Sequence, residues 1–215
     1  MSMSEAQQAW EERYGERDRI WSGKVNDRLA EVAATLTPGH ALDLGCGEGG
    51  DALWLAENGW RVTAVDIAQT ALDRAKADAQ ARNLGSRIDF QRLDLTENLP
   101  GGSFDLVSAH FLHSTFDWDR TALLRSAAHT VKPGGVLLIV DHAAAPPWAN
   151  PEIHHHEFPS ADEVLDDLNL DDSQWDRTRV EIVDREATGP DGQSAVLTDN
   201  VMVLTRRRAP ALPSA

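Results

Sequence analysis

At 215 residues the chain has room for one domain with a sizeable core. Its 35 acidic and 20 basic residues leave a formal net charge of −15, which repels nucleic-acid phosphates and leaves a small neutral or cationic molecule as the expected partner. No apolar run reaches the ~18 residues of a membrane helix, the opening Met-Ser-Met-Ser-Glu-Ala-Gln lacks the pattern of a secretory signal, and the single cysteine, Cys46, fits a reducing cytoplasm and excludes an internal disulfide framework.

Hydrophobic periodicity along the chain alternates between helix and strand. Residues 4–14 and 24–36 read as helices, with Trp10, Tyr14 and Trp21 as bulky anchors. Thr37-Pro38-Gly39 breaks that pattern, and 40–44 is a first strand. It runs into Gly45-Cys46-Gly47-Glu48-Gly49-Gly50, and a helix opens over 50–58, stopped by Asn58-Gly59. Glycines in such a turn supply backbone angles that a Cβ obstructs, and they let a ligand approach bare backbone. Asp43, two residues before the first glycine, suits a ligand with a positively charged part. Gly45, Gly47 and Gly50 equally satisfy the dinucleotide spacing G-x-G-x-x-G, so a nicotinamide cofactor, or a turn without any ligand, stays open at this point.

A second strand follows over 61–66, then an alanine-rich helix over 68–83 and a third strand from Ile88 to Leu93. Phe104 to Ala109 is a fourth strand and 119–131 a helix, after which Lys132-Pro133-Gly134-Gly135 turns into a fifth strand over 136–140. Strands linked through helical segments imply right-handed crossovers and a parallel sheet covered on both faces. A proline- and histidine-rich loop occupies 142–159, Ser160-Ala161-Asp162-Glu163 has capping-box spacing, and strands over 177–187 and 195–206 flank the hairpin signal Gly189-Pro190-Asp191-Gly192. The expected fold is α/β: a Rossmann-like, seven-stranded doubly wound sheet, mostly parallel with a C-terminal antiparallel hairpin. One domain is expected over 1–208, with a helical cap over 1–37, a cofactor-binding core over 38–141 and an acceptor-side loop and hairpin over 142–208; the tail 209–215 is expected to be disordered.

Ligands of such sheets bind at the carboxyl ends of the strands. Those ends deliver Asp43 with the glycine turn, Asp66, Asp94-Leu95, His110-Phe111-Leu112-His113 and Asp141-His142. Polar side chains at one end of five strands are hard to explain as packing, and Asp66 lies at the spacing from which an acid bonds ribose hydroxyls.

Asp43-Leu44-Gly45-Cys46-Gly47, Asp66, Asp94, Phe104-Asp105-Leu106-Val107 and Val131-Lys132-Pro133-Gly134-Gly135 together resemble the class I S-adenosylmethionine (SAM)-dependent methyltransferases over roughly residues 38–141. Trp10, Arg13, Tyr14 and Trp21-Ser22-Gly23 resemble the cap of the small tellurite-resistance and thiopurine-type members. The resemblance implies SAM as cofactor and S-adenosylhomocysteine (SAH) as product. Asp43 and the backbone of Gly45 and Gly47 would hold the methionine portion, Asp66 the ribose with Ile67 beside the adenine, and Asp94 the adenine amino group with Leu95 on the ring. His110 would line the sulfonium side, and Arg13 would pair with the SAM carboxylate, for which a planar guanidinium is suited. A small acceptor, a thiol or metalloid, is implied.

Methyl transfer of this kind rests on alignment and water exclusion, and a base is needed only where the acceptor arrives protonated. His113 and His142 are the candidate bases. His154-His155-His156 reads as a polar rim of the acceptor pocket rather than a metal site, because alternate residues of an extended segment face opposite sides. Trp148 is its apolar companion. The alternatives are a nicotinamide-dependent oxidoreductase and a SAM-binding regulatory protein without turnover. Oligomeric state is not legible.

Overall fold

The computed structural model describes residues 4–208 apart from Thr115, Asp117, 150–157 and Pro190. The tail 209–215 and the His154–His156 triplet therefore lie outside the described residues. Five parallel strands, β1 (His40–Leu44), β2 (Arg61–Asp66), β3 (Ile88–Arg92), β4 (Phe104–His110) and β5 (Val131–His142), are completed by the antiparallel hairpin of β6 (Trp175–Thr188) and β7 (Ser194–Arg206). The sheet order is β3-β2-β1-β4-β5-β7-β6, so the winding reverses between β1 and β4. The crevice at that reversal is where open α/β sheets take their ligands.

Alternation along the strands builds a core on each face. Ala41, Val62, Ala64, Leu106 and Leu138 pack on one side with residues of α2 (Asp27–Ala33) and α3 (Gly50–Glu57). Leu42, Leu44, Val65, Val107 and Ile139 pack on the other with α5 (Arg120–Thr130) and α6 (Ala161–Leu168). Near-continuous burial of β1, β2 and β4 is what strands covered on both faces require. Tyr14 of α1 (Glu5–Gly15) packs on Ala68 and Ala71 at the start of α4 (Gln69–Ala81). The Ser160–Glu163 capping box forms at α6 as its spacing predicts.

Two local departures have physical causes. The second helix begins at Asp27 rather than 24, because the backbone of Asn26 is drawn to the Asp51 carboxylate, 2.7 Å away, and Lys24 O sits 2.7 Å from where a Gly50 Cβ would be. The fifth strand starts at Val131 rather than 136, absorbing the Lys132–Gly135 turn through a register shift against Phe104 and Leu106, with Gly134 at φ 85°. The crossover from β3 to β4 contains turns and no helix. Among the described residues no helix is long and apolar enough to cross a membrane.

Candidate cofactor and acceptor site

The glycine turn leaves β1 in left-handed conformation, with φ of 70° at Gly45, 51° at Gly47 and 83° at Gly49, which N-caps α3. Cys46 N donates to Val65 O at 2.9 Å, tying the turn to β2. A Cβ on Gly45 would stand 2.6 Å from Leu112 Cδ1, and one on Gly47 would stand 3.0 Å from the Tyr14 hydroxyl. Desolvation, and after it the Asp66 and Asp43 carboxylates, push the half-buried Cys46 thiol well above its usual range, so it is a poor nucleophile.

Three buried carboxylates surround this turn. Asp43 is 2% exposed, its Oδ2 has no hydrogen-bond partner among the described residues, and burial, then the charges of Asp51 and Asp66, hold its carboxyl well above the ordinary range. Asp51, in the first turn of α3, accepts from Asn26 N at 2.7 Å and Asn26 Nδ2 at 2.8 Å. Burial pushes Asp51 up, but His110 and Asn26 outweigh it and hold the carboxyl below its usual range. Asp66 accepts from Gly47 N at 2.8 Å and Ala68 N at 2.9 Å; burial nonetheless leaves its carboxyl raised.

Asp66, expected to hold ribose hydroxyls, therefore first shapes the turn, while each of its oxygens keeps a second lone pair for a ligand. His110 ends β4 with its side chain only 4% exposed and Nδ1 3.1 Å from Asp51 Oδ2. That approach lacks hydrogen-bond alignment, and neither ring nitrogen is hydrogen-bonded among the described residues. Ile67 is half-buried at the end of β2. After β3, Asp94 accepts from Thr96 N at 3.0 Å and from Ser4 Oγ at 3.2 Å, and Leu95 packs toward the α5–α6 core.

The N-terminal segment closes over this edge, held by carboxylates that sequence patterning does not single out. Glu48, 1% exposed, accepts from Ile20 N at 3.0 Å and Trp21 N at 2.9 Å and pairs with Arg74 at 2.8 Å. Arg74 donates onward to Tyr14 O at 2.8 Å and Arg17 O at 2.9 Å. Glu11 caps the start of α4 by accepting from Gln69 N at 2.5 Å and Thr70 N at 3.1 Å. Trp21 Nε1 donates to the Tyr14 hydroxyl at 2.9 Å. Arg13 lies 5.4 Å from the Trp10 ring and 5.6 Å from the Trp21 ring, in cation–π contact with both. Glu11 and Arg74 carry no motif; the one available signal was a glutamate inside a glycine turn.

On the far side of β4, His113 and His142 come together, with ring centroids 6.3 Å apart and 20° between planes. Phe111, left-handed at φ 49°, stacks on His142 at 4.3 Å and 22°. His142 Nδ1 lies 3.2 Å from Asp199 Oδ1, and Asp199 also accepts from Arg185 Nε. The Arg185 guanidinium covers the Phe111 ring at 5.2 Å. His113 Nε2 is 3.4 Å from Asp141 Oδ1, which takes a 2.6 Å bond from Arg120. Trp148 packs where a Gly189 Cβ would lie only 2.7 Å away, against the hairpin turn. Arg120, Arg185 and Asp199 are additions to the expected set. Among the described residues no group of three or more His, Cys, Asp or Glu is arranged to hold a metal.

Residues 41–135 match the family model described as "Methyltransferase domain". The chain is 33% identical over 126 residues to 27-O-demethylrifamycin SV methyltransferase of Amycolatopsis mediterranei, covering 57% of this chain and 46% of that protein. Over that stretch it is similar to methyltransferase domains. The described fold matches, at a TM-score of 0.72 and 25% identity over 95% of this chain and 94% of the other, a structure from work on conversion of a disulfide bond into a thioacetal group during echinomycin biosynthesis. It also matches N-methyltransferase NodS from Bradyrhizobium japonicum WM9 in complex with SAH, at a TM-score of 0.65 and 19% identity over 95% and 100% of the two chains. The curated relative above is more than twice as long as the stretch this chain covers.

The residues around the glycine turn fit SAM. An ammonium group would supply the partner that the buried Asp43 Oδ2 lacks among the described residues, while the side chains of Leu112 and Tyr14 stand over the Gly45 and Gly47 backbone where a ligand would approach it. A pyrophosphate, by contrast, would be brought against Asp43, Asp51 and Asp66 together, which disfavours a dinucleotide in this turn.

Proposed function

We propose that this chain transfers a methyl group from SAM to a small-molecule acceptor whose nucleophile is a soft atom, with a thiol as the leading class. SAM supplies an electrophilic methyl on a sulfonium sulfur. Asp43 binds the ammonium of the methionine portion, with the backbone of Gly45 and Gly47 alongside and Arg13 directed at the carboxylate. Asp66 and Ile67 hold the ribose and one side of the adenine, and Asp94 and Leu95 hold the adenine amino group and ring. His110 borders the sulfonium. Tyr14 and Trp21, fixed over Gly47 by Glu48 and Arg74, exclude water from that end of the cleft.

Alignment carries most of such a reaction, with effective molarities reaching ~10⁵ M or more. His113 and His142 stand on the acceptor side to take a proton from a nucleophile that arrives protonated. The sulfur preference draws support from the whole-chain likeness to the structure from the disulfide-to-thioacetal work. The single observation that carries the assignment is the buried Asp43 oxygen, without a hydrogen-bond partner among the described residues, beside a left-handed glycine turn.

The test is calorimetry with SAM, SAH and NAD, followed by SAH production across thiols, phenols, amines and oxyanions of selenium and tellurium. Heat with SAM and SAH but not NAD, and turnover highest on thiols, is the expected result. Binding of NAD alone overturns the cofactor, and SAM binding without turnover on any acceptor overturns the transferase activity.

A further inference from the structure

We infer that Asp199 and Arg185, both from the C-terminal hairpin, are positioning residues that fix His142 as the proton acceptor for a protonated thiol. The inference rests on the methyl-transfer assignment above and adds to it the group that handles the acceptor's proton. Asp199 is 2% exposed, and its two oxygens face different partners: Oδ2 accepts from Arg185 Nε and Oδ1 lies 3.2 Å from His142 Nδ1. A carboxylate held by a guanidinium is ionised and only accepts, so His142 Nδ1 must be the donor. That places the ring proton on Nδ1 and leaves Nε2 as the ring's open base.

The ring is also fixed in orientation. Phe111 stacks under it at 4.3 Å, in a left-handed conformation (φ 49°) that a non-glycine residue adopts at a cost. Arg185 covers the other partner of that stack, 5.2 Å from the Phe111 ring. The backbone places these groups at the carboxyl edge: Phe111 N donates to Val140 O at 2.8 Å, and His142 pairs across β5 and β7 with Asp199 itself. Antiparallel pairing is what makes this possible. It brings a carboxylate 57 residues away directly opposite the imidazole on the last ladder rung of β5.

In the step this serves, the new sulfur–carbon bond forms on the acceptor as the carbon–sulfonium bond of SAM breaks, and that electron pair stays on the departing thioether. The thiol proton passes to His142 Nε2 and from there to solvent. The base matters in proportion to how weakly acidic the acceptor is. An aromatic thiol arrives as thiolate and needs no base, whereas an alkanethiol does.

The test compares Asp199→Asn, Arg185→Gln and wild type on thiophenol and on an alkanethiol, with SAM affinity and melting temperature as controls. Asp199→Asn is expected to lower turnover of the alkanethiol by about 10-fold or more while thiophenol turnover stays within about threefold, and Arg185→Gln to follow the same pattern more weakly. Equal loss on both acceptors, or loss on neither, overturns the inference. Should Asp199→Asn fail to fold, Arg185→Gln decides by the same criterion. A readout independent of turnover is the ¹⁵N spectrum of His142, assigned with His142→Gln. The Nδ1–H tautomer in wild type, shifting toward Nε2–H in Asp199→Asn, supports the inference; the Nε2–H tautomer in wild type overturns it even if no acceptor is turned over. Absence of SAM binding in wild type, with the Nδ1–H tautomer present, overturns the methyl-transfer assignment alone.

Discussion

Replacing Asp43 by asparagine separates what this residue costs the fold from what it gives the ligand. The carboxyl is 2% exposed, one oxygen has no hydrogen-bond partner among the described residues, and burial together with Asp51 and Asp66 raises its proton affinity in the folded chain. A carboxyl with a folded value above its unfolded one stabilises the fold fully below the unfolded value, and that contribution is lost as pH rises through the folded value. Near neutral pH the ligand-free wild type therefore carries a penalty that asparagine removes. Each kcal/mol recovered is worth about 2–4 °C in a chain of this size. Binding is affected in the opposite direction. A hydrogen bond between carboxylate and ammonium contributes about 1.5–3 kcal/mol, so Asp43→Asn should weaken SAM about 10- to 150-fold. Because a cation favours the ionised form of a carboxyl whose proton affinity burial has raised, wild-type SAM affinity should rise with pH across the raised range and asparagine should flatten that rise. Thermal melts at pH 5 and 8, with calorimetry in two buffers of different ionisation enthalpy, measure both effects. A variant that binds SAM as wild type does, or that melts several degrees lower at pH 8, would refute the reasoning.

Glu48→Ala strands Arg74 and the backbone of Ile20 and Trp21; removing one partner of a buried pair costs about 3–5 kcal/mol, and limited proteolysis should cut residues 15–26 faster than in wild type, whereas an unchanged melt and digestion pattern would count against the clamp. Gly45→Ala demands a left-handed alanine, about 1–2 kcal/mol, and sets a Cβ against Leu112; SAM affinity measured by calorimetry should fall. Asp66→Ala deprives Gly47 N and Ala68 N of their acceptor and should lower the melting temperature and weaken SAM binding by about 1.5–3 kcal/mol per lost bond to the ligand, while Asp66→Asn, which keeps an acceptor oxygen, should recover part of the stability; no difference between the two would contradict the turn-shaping role.

The sheet and the carboxyl-edge positions were legible because periodicity reports which faces are buried: Asp66, His110 and His142 close β2, β4 and β5, Asp43 lies one residue before the end of β1, and Asp94 lies two residues past β3. What patterning could not supply were partners chosen by folding. Glu11, Arg74, Arg185 and Asp199 sit in stretches that read as ordinary charged surface, yet each meets a group from another element. Asn26 illustrates the same limit at short range: its stretch has helical periodicity, but the Asp51 carboxylate draws its backbone and side-chain amides away from the helix. Left-handed Phe111 had no signal at all, since nothing in a phenylalanine announces a positive φ.

The clasp of Glu48, Arg74 and Glu11 on residues 11–21 has a consequence for the order in which the molecule takes shape. Residues 11–21 leave the ribosome before their docking groups, which belong to a turn and a helix made dozens of codons later. That segment must therefore wait, unattached, until the first two β–α units have emerged, and it then settles as the latch that finishes this half of the sheet.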